Sequence, residues 1–119
     1  MTEDQIHRAI VAWWDAVGHH RFNVPSRLLF HAANGGRRDV REAALFKARG
    51  VRAGIPDLLL LAARGGYHGA AFEVKTPKGR ISKAQAECLE ELDAAGYYAV
   101  VVRSVYEGRR EIEHYLLMR

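Results

Sequence analysis

The chain has one cysteine, three prolines and no apolar run long enough to cross a bilayer. Cys88 has no partner for an internal disulfide, and no cysteine–histidine set has zinc-finger spacing. A disulfide scaffold and a structural zinc module are thereby excluded. Repeats, low-complexity tracts and an internal linker are also lacking. The opening Met1-Thr2-Glu3-Asp4 is acidic where a secretory signal is basic and then greasy, so a cytoplasmic location is expected. What remains is 119 residues, 49% hydrophobic and 27% charged. That composition fits one globular domain, 1–119, with a single core.

The formal charge of +4 is concentrated rather than spread. Between Gly35 and Arg52 stand six basic residues, Arg37, Arg38, Arg41, Lys47, Arg49 and Arg52, against Asp39 and Glu42. The whole excess lies there, and the rest of the chain is balanced. Such clustering is the footprint of a phosphate-backbone binder. A solvated helix face accounts for it equally well when taken alone.

Periodicity predicts the element order α-β-α-β-β-α-β-α, a small mixed β-sheet flanked by helices. A first helix is expected from Thr2 to Val17, with an apolar stripe of Ile6, Ile10, Trp13, Trp14 and Val17 and a capping box from Thr2 to Gln5. Arg27 to Ala33 reads as a strand, stopped by Asn34-Gly35-Gly36. Asp39 is placed to cap a second helix reaching Ala48, with Gly50 as its stop. Ile55 to Ala62 reads as a strand buried on both faces. It forms a hairpin with Ala70 to Lys75 across the turn at 64–69. Ser82, with a capping box to Gln85, starts a third helix running to Ala95 and stopped by Gly96. A strand from Tyr97 to Arg103 and a short helix from Arg109 to Leu117 complete the chain.

Strand alternation puts Glu73 and Lys75 on one face, with Phe72 and Val74 on the other. An exposed ion pair would explain them in isolation. Upstream, however, Gly54-Ile55-Pro56-Asp57 sets a carboxylate just before the leucine strand, where it has little structural use. If the two strands pair, Asp57 and Glu73 meet, and two carboxylates at one spot repel unless a divalent cation neutralises them. Oxygen ligands of this kind suit Mg²⁺ or Mn²⁺. Lys75 beside such an ion could deprotonate or orient a water, or stabilise charge on a phosphate, and the sequence leaves these roles open.

Pro56-Asp57 followed by Glu73-x-Lys75 resembles the PD-(D/E)xK nuclease superfamily. A longer run is similar to the VRR-NUC family, in its small stand-alone phage and bacterial members. It comprises Asn34-Gly35-Gly36-Arg37, Gly50-Val51-Arg52-Ala53-Gly54-Ile55-Pro56-Asp57-Leu58, Phe72-Glu73-Val74-Lys75, Gly79-Arg80, Ser82, Gln85 and Leu92. The resemblance implies a restriction-endonuclease-like α/β fold. It also implies an Mg²⁺- or Mn²⁺-dependent DNA endonuclease that leaves 5′-phosphate and 3′-hydroxyl ends. Asp57, Glu73 and the backbone carbonyl of Val74 would hold the metal, with Lys75 the catalytic lysine. Glu3 occupies the position of the family's first-helix glutamate, and helical spacing from Ile6 and Ile10 also turns it inward. A first-turn acid complementing the helix dipole is the plainer explanation, and Asp4 fits that better. Gln85 serves either as the partner of Ser82 or, as the family's glutamine, in positioning water or Lys75.

Lys78 and Arg80, in the loop after Lys75, are placed to touch a phosphate backbone, as are Arg37, Arg38, Lys47, Arg49 and Arg52 as a group. Trp13 or Trp14 could stack on bases, although helical spacing assigns at least one to the core or a subunit contact. The six histidines show no ligand spacing, and Cys88 is expected to be buried on the third helix. By the resemblance, the substrate is branched DNA such as a four-way junction, cut by a homodimer with no membrane association. The alternatives are a flap or single-strand nuclease, a subunit that cuts only when docked on a partner, and a binding module that does not cut.

Overall fold

The computed structural model describes residues 1–32 and 40–119. Four strands form one sheet in the order β1-β2-β3-β4: β1 (Leu29–His31), β2 (Leu58–Leu60), β3 (Ala70–Val74) and β4 (Tyr98–Val102). The first three are antiparallel, and β4 runs parallel to β3. That parallel pair is joined by α4 (Lys83–Ala94), the crossover that parallel strands require. The sheet is thus mixed, with strands shorter than their patterns suggested.

The helix α1 (Glu3–Trp13) opens on the expected capping box between Thr2 and Gln5. It then passes into a π-helical stretch, Trp14–Gly18, and a last α turn, α2 (His19–Arg21). This corrects the first helix in two respects: it runs past Val17, and the wider π turn rotates the inward face by one residue. Gly18 therefore faces the core, while Val17 is 52% exposed. Trp14 is fully buried and donates its indole N–H to the Ser26 carbonyl at 2.8 Å. Trp13 is half-buried beneath the guanidinium of Arg109, 5.1 Å from the ring centroid.

The core is built from Ile6, Ile10, Trp14, Leu58, Leu60, Phe72, Val74, Val102, Ile112 and Tyr115. Tyr115 satisfies its buried hydroxyl by donating to the Ala62 carbonyl at 2.6 Å. The final helix, α5 (Val105–Leu116), starts four residues before the expected Arg109, capped by Ser104. The role of Gly108 there is steric. It sits inside α5, where a β-carbon would run into the side chain of Ile10, so glycine lets α1 and α5 approach closely. The strand β2 departs from expectation too. Leu58 and Leu60 are buried, yet Leu59 is only half-buried and Leu61 is 53% exposed. The helix on that face, α4, packs against β4 at the other side of the sheet. Cys88 on α4 is likewise half-buried rather than buried, for α4 has no fully buried residue.

The helix α3 (Val40–Ala48) also has no buried residue and stands outside the core. The expected cap Asp39, the turn Asn34-Gly35-Gly36 and the basic residues Arg37 and Arg38 lie outside the described residues. Among the described residues, no helix is long and apolar enough to cross a membrane.

Candidate active site

Strand register assembles the acidic pair. Leu58 opposes Phe72 in the antiparallel ladder, so continuing the register by one residue sets Asp57 opposite Glu73. Residues directly opposed in this way have β-carbons about 5 Å apart, and like charges there destabilise the pairing. Asp57 is held in place from the other strand, its Oδ2 accepting the Val74 backbone N–H at 2.8 Å. The preceding turn needs glycine: Gly54 has φ +83°, and a β-carbon on it would lie 2.6 Å from the Ala84 carbonyl oxygen. This close passage brings the Asp57 turn against the first turn of α4.

Gln85 stands in that same turn of α4 and serves as the expected capping partner of Ser82, with its free end on Glu73 rather than Lys75. Its Oε1 accepts the Ser82 N–H at 2.9 Å, completing the capping box. Its Nε2 thereby faces Glu73 and donates to Oε1 at 3.4 Å. The other oxygen, Glu73 Oε2, is buried and has no hydrogen-bond partner among the described residues. Burial, together with the hydrogen bond and negative charge of Asp57, pushes the Glu73 carboxyl up to about 9. Lys75 and Glu3 act on it in opposite directions, the ammonium lowering and the carboxylate raising. An orphaned buried oxygen in a group of three carboxylates is the chemistry of a cation site, and the donor set fits a hard divalent ion.

Lys75 is buried, with its backbone N–H bonded to the Val102 carbonyl at 3.0 Å. Its Nζ lies 4.0 Å from Glu3 Oε1. Glu3, its side chain still 49% exposed, thus reaches towards Lys75 at the mouth of a cleft, while the neighbouring Asp4, which also lines it, pairs with Arg8. That cleft, of about 380 Å³, opens over the group, lined by Glu3, His7, Arg8, His31, Asp57 and Val74 among others.

Asp57, Glu73, Val74, Lys75, Glu3 and Gln85 thus come together. The basic residues do not join them: Lys47 on α3, Arg49 and Arg52 beyond it, and Lys78 and Arg80 after β3 are all exposed, and none lines the cleft. Two features escaped the sequence reading. Arg103 donates to the carbonyls of Thr76 and Gly79 at 2.9 and 2.8 Å, bracing the loop that carries Lys78 and Arg80. His7 and His31 converge on Asp57, and burial, aided by the facing His31, lowers the pKa of His7. The one available signal was the Glu3–His7 spacing of four, which puts both on one helix face.

Comparison with known proteins bears on the family and the fold. The family described as the VRR-NUC domain matches residues 1–106. A solved structure described as a VRR_NUC domain protein is similar over 98% of this chain and 88% of its own, with 31% identity and a TM-score of 0.81. None of the curated proteins matches.

Proposed function

The chain belongs to the VRR-NUC family of nuclease-type domains, and from that premise we propose that it is a divalent-cation-dependent DNA endonuclease. The observation that carries this reading is Glu73 Oε2, buried without a partner beside a second carboxylate and a buried lysine. Facing carboxylates of which one is buried repel unless a retained proton or a cation lies between them, and a cation is what a hydrolytic site would put there. Mg²⁺ or Mn²⁺ would be held by Asp57, Glu73 and the Val74 carbonyl, with Glu3 contributing from α1. When bound, the ion would polarise a phosphate oxygen and lower the pKa of a coordinated water.

The chain's own groups do the rest. The Val74 N–H fixes the Asp57 carboxylate, and Gln85 fixes one oxygen of Glu73. Lys75 Nζ, held near Glu3, either takes the proton of the attacking water or offsets charge on the scissile phosphate. The exposed residues Lys47, Arg49, Arg52, Lys78 and Arg80, with Arg37 and Arg38, supply sequence-independent phosphate contacts.

Branched DNA, with four-way junctions foremost, is the proposed substrate, and a homodimer the proposed unit. Both rest on the family resemblance and on the small surface a 13.4 kDa chain offers to a branched duplex. The test is a panel of labelled junction, flap, duplex and single-stranded DNA, incubated with Mg²⁺, Mn²⁺ or chelator. Metal-dependent cutting strongest on the junction supports the whole reading. Cutting strongest on flaps or single strands keeps the nuclease and replaces its substrate. Binding without cutting under either metal leaves the binding module or the partner-dependent subunit.

A further inference from the structure

Two histidines outside the nuclease reading stand beside Asp57. His7 lies on α1 one turn beyond Glu3, His31 ends β1, and Asp57 precedes β2. One ligand atom from each residue lies within 4.8 Å of those of the other two. A zinc-sized ion, with bonds of about 2.0–2.2 Å, holds tetrahedral ligands roughly 3.4 Å apart. A small inward turn of the half-buried His7 therefore brings the set towards that spacing.

One ring nitrogen of His31 is already engaged. Its Nδ1 lies 2.8 Å from the Asp57 backbone oxygen. A carbonyl only accepts, so this bond assigns the proton to Nδ1 and leaves the Nε2 lone pair free. Metal-ligating histidines are commonly held by such a bond from the second ring nitrogen. The His7 ring meets His31 edge-on, with centroids 4.9 Å apart. Pairing of β1 with β2 sets His31 opposite Leu58, next to Asp57, so the cluster is built into the sheet rather than gathered by chance on a loop.

The donor types choose the ion. Two imidazoles with one carboxylate favour Zn²⁺ or Co²⁺ over Mg²⁺ and Mn²⁺, which prefer oxygen ligands. We infer that His7, His31 and Asp57 form a cation site of their own for a divalent transition ion, distinct from the carboxylate site around Glu73 and joined to it through Asp57. Three protein ligands leave a position open, and Arg8 lines the same cleft, so a phosphate oxygen suits that position. The inference concerns binding at three side chains and does not require that the chain cut DNA.

The test titrates Zn²⁺ into the metal-free full chain and follows the histidine ring nitrogens by NMR, with Co²⁺ absorption in the visible as a second readout. Zn²⁺ is expected to shift His7 and His31 and to leave His19, His20, His68 and His114 in place. His7→Leu, and independently His31→Asn, should weaken Zn²⁺ binding at least about tenfold, the lower end of what disturbing even a supporting residue costs. Glu73→Gln should retain both the Zn²⁺ shifts and the Co²⁺ band. Unmoved His7 and His31 resonances would overturn the inference, as would Zn²⁺ affinity unchanged in both histidine variants. Loss of all binding in folded Glu73→Gln would also overturn it, by showing one site instead of two. A chain that binds Zn²⁺ as stated but cuts no DNA keeps this site and loses the nuclease reading.

Discussion

Glutamine at position 73 should stabilise the metal-free chain while removing most of its response to Mn²⁺. Glu73 is 1% exposed, Oε2 has no partner among the described residues, and the carboxyl is pushed up to about 9 from an ordinary 4.5. Between those values the folded chain keeps a proton that the unfolded chain has released. Stability therefore falls as pH rises through the window, by up to about 1.4 kcal/mol per pH unit. Below 4.5 both states are protonated and the group costs nothing. Above 9 the cost is constant. At pH 7 it is on the order of 3 kcal/mol. Glutamine needs no proton and keeps the shape, but it still buries an amide that must find partners, which offsets part of the gain. The expected rise in Tm for Glu73→Gln is roughly 5–10 °C at pH 8 without metal, shrinking towards pH 5. Addition of Mn²⁺ should reverse the order. At a hundredfold excess over Kd, wild type gains about 2.7 kcal/mol, and the variant gains little. Because the cation must displace the proton, the wild-type gain should be larger at pH 8 than at pH 6. Thermal unfolding followed by circular dichroism across pH, with and without Mn²⁺, measures all of this. A variant no more stable than wild type at pH 8, with the same pH slope, would refute the account of Glu73 as a buried carboxylate awaiting a cation.

Gly108→Val should cost about 2 kcal/mol by overpacking against buried Ile10, seen as a lower midpoint in urea. An unchanged midpoint would mean that α1 and α5 can separate freely. Glu3→Gln should weaken Mn²⁺ affinity and reduce cleavage about tenfold, because Glu3 stands 4.0 Å from Lys75 at the cleft. Unchanged cleavage would remove Glu3 from the site. Replacing Lys47, Arg49 and Arg52 together should weaken DNA binding and lower the slope of log K against log salt by about 2–3, with metal affinity intact. A fall in metal affinity instead would make that segment part of the fold rather than a DNA contact.

The parts of this protein governed by short-range rules were legible in its sequence. Thr2 with Gln5 and Ser82 with Gln85 form the two expected capping boxes. The hairpin spacing brought Asp57 opposite Glu73 because antiparallel register follows from alternation and turn length. What was misread depends on contacts between distant segments. The π turn at Trp14 answers to burial of that indole and its bond to Ser26, twelve residues on, so Val17 pointed outward against its period. His7 and His31 are 24 positions apart, and only docking of α1 beside β1 makes them neighbours. Gln85 was ambiguous for a different reason: its amide has two ends, and the fold uses both.

The measurement that bears most directly on the central claim is cleavage of a labelled four-way junction by wild type and Lys75→Ala at equal protein, with Mn²⁺ and with chelator, alongside junction binding. The account predicts cutting by wild type with metal only, and a loss of about 10²–10⁴ in rate for Lys75→Ala, with binding retained. Cutting that persists in Lys75→Ala, or in chelator, would contradict the assignment of Asp57, Glu73 and Lys75 as the hydrolytic site.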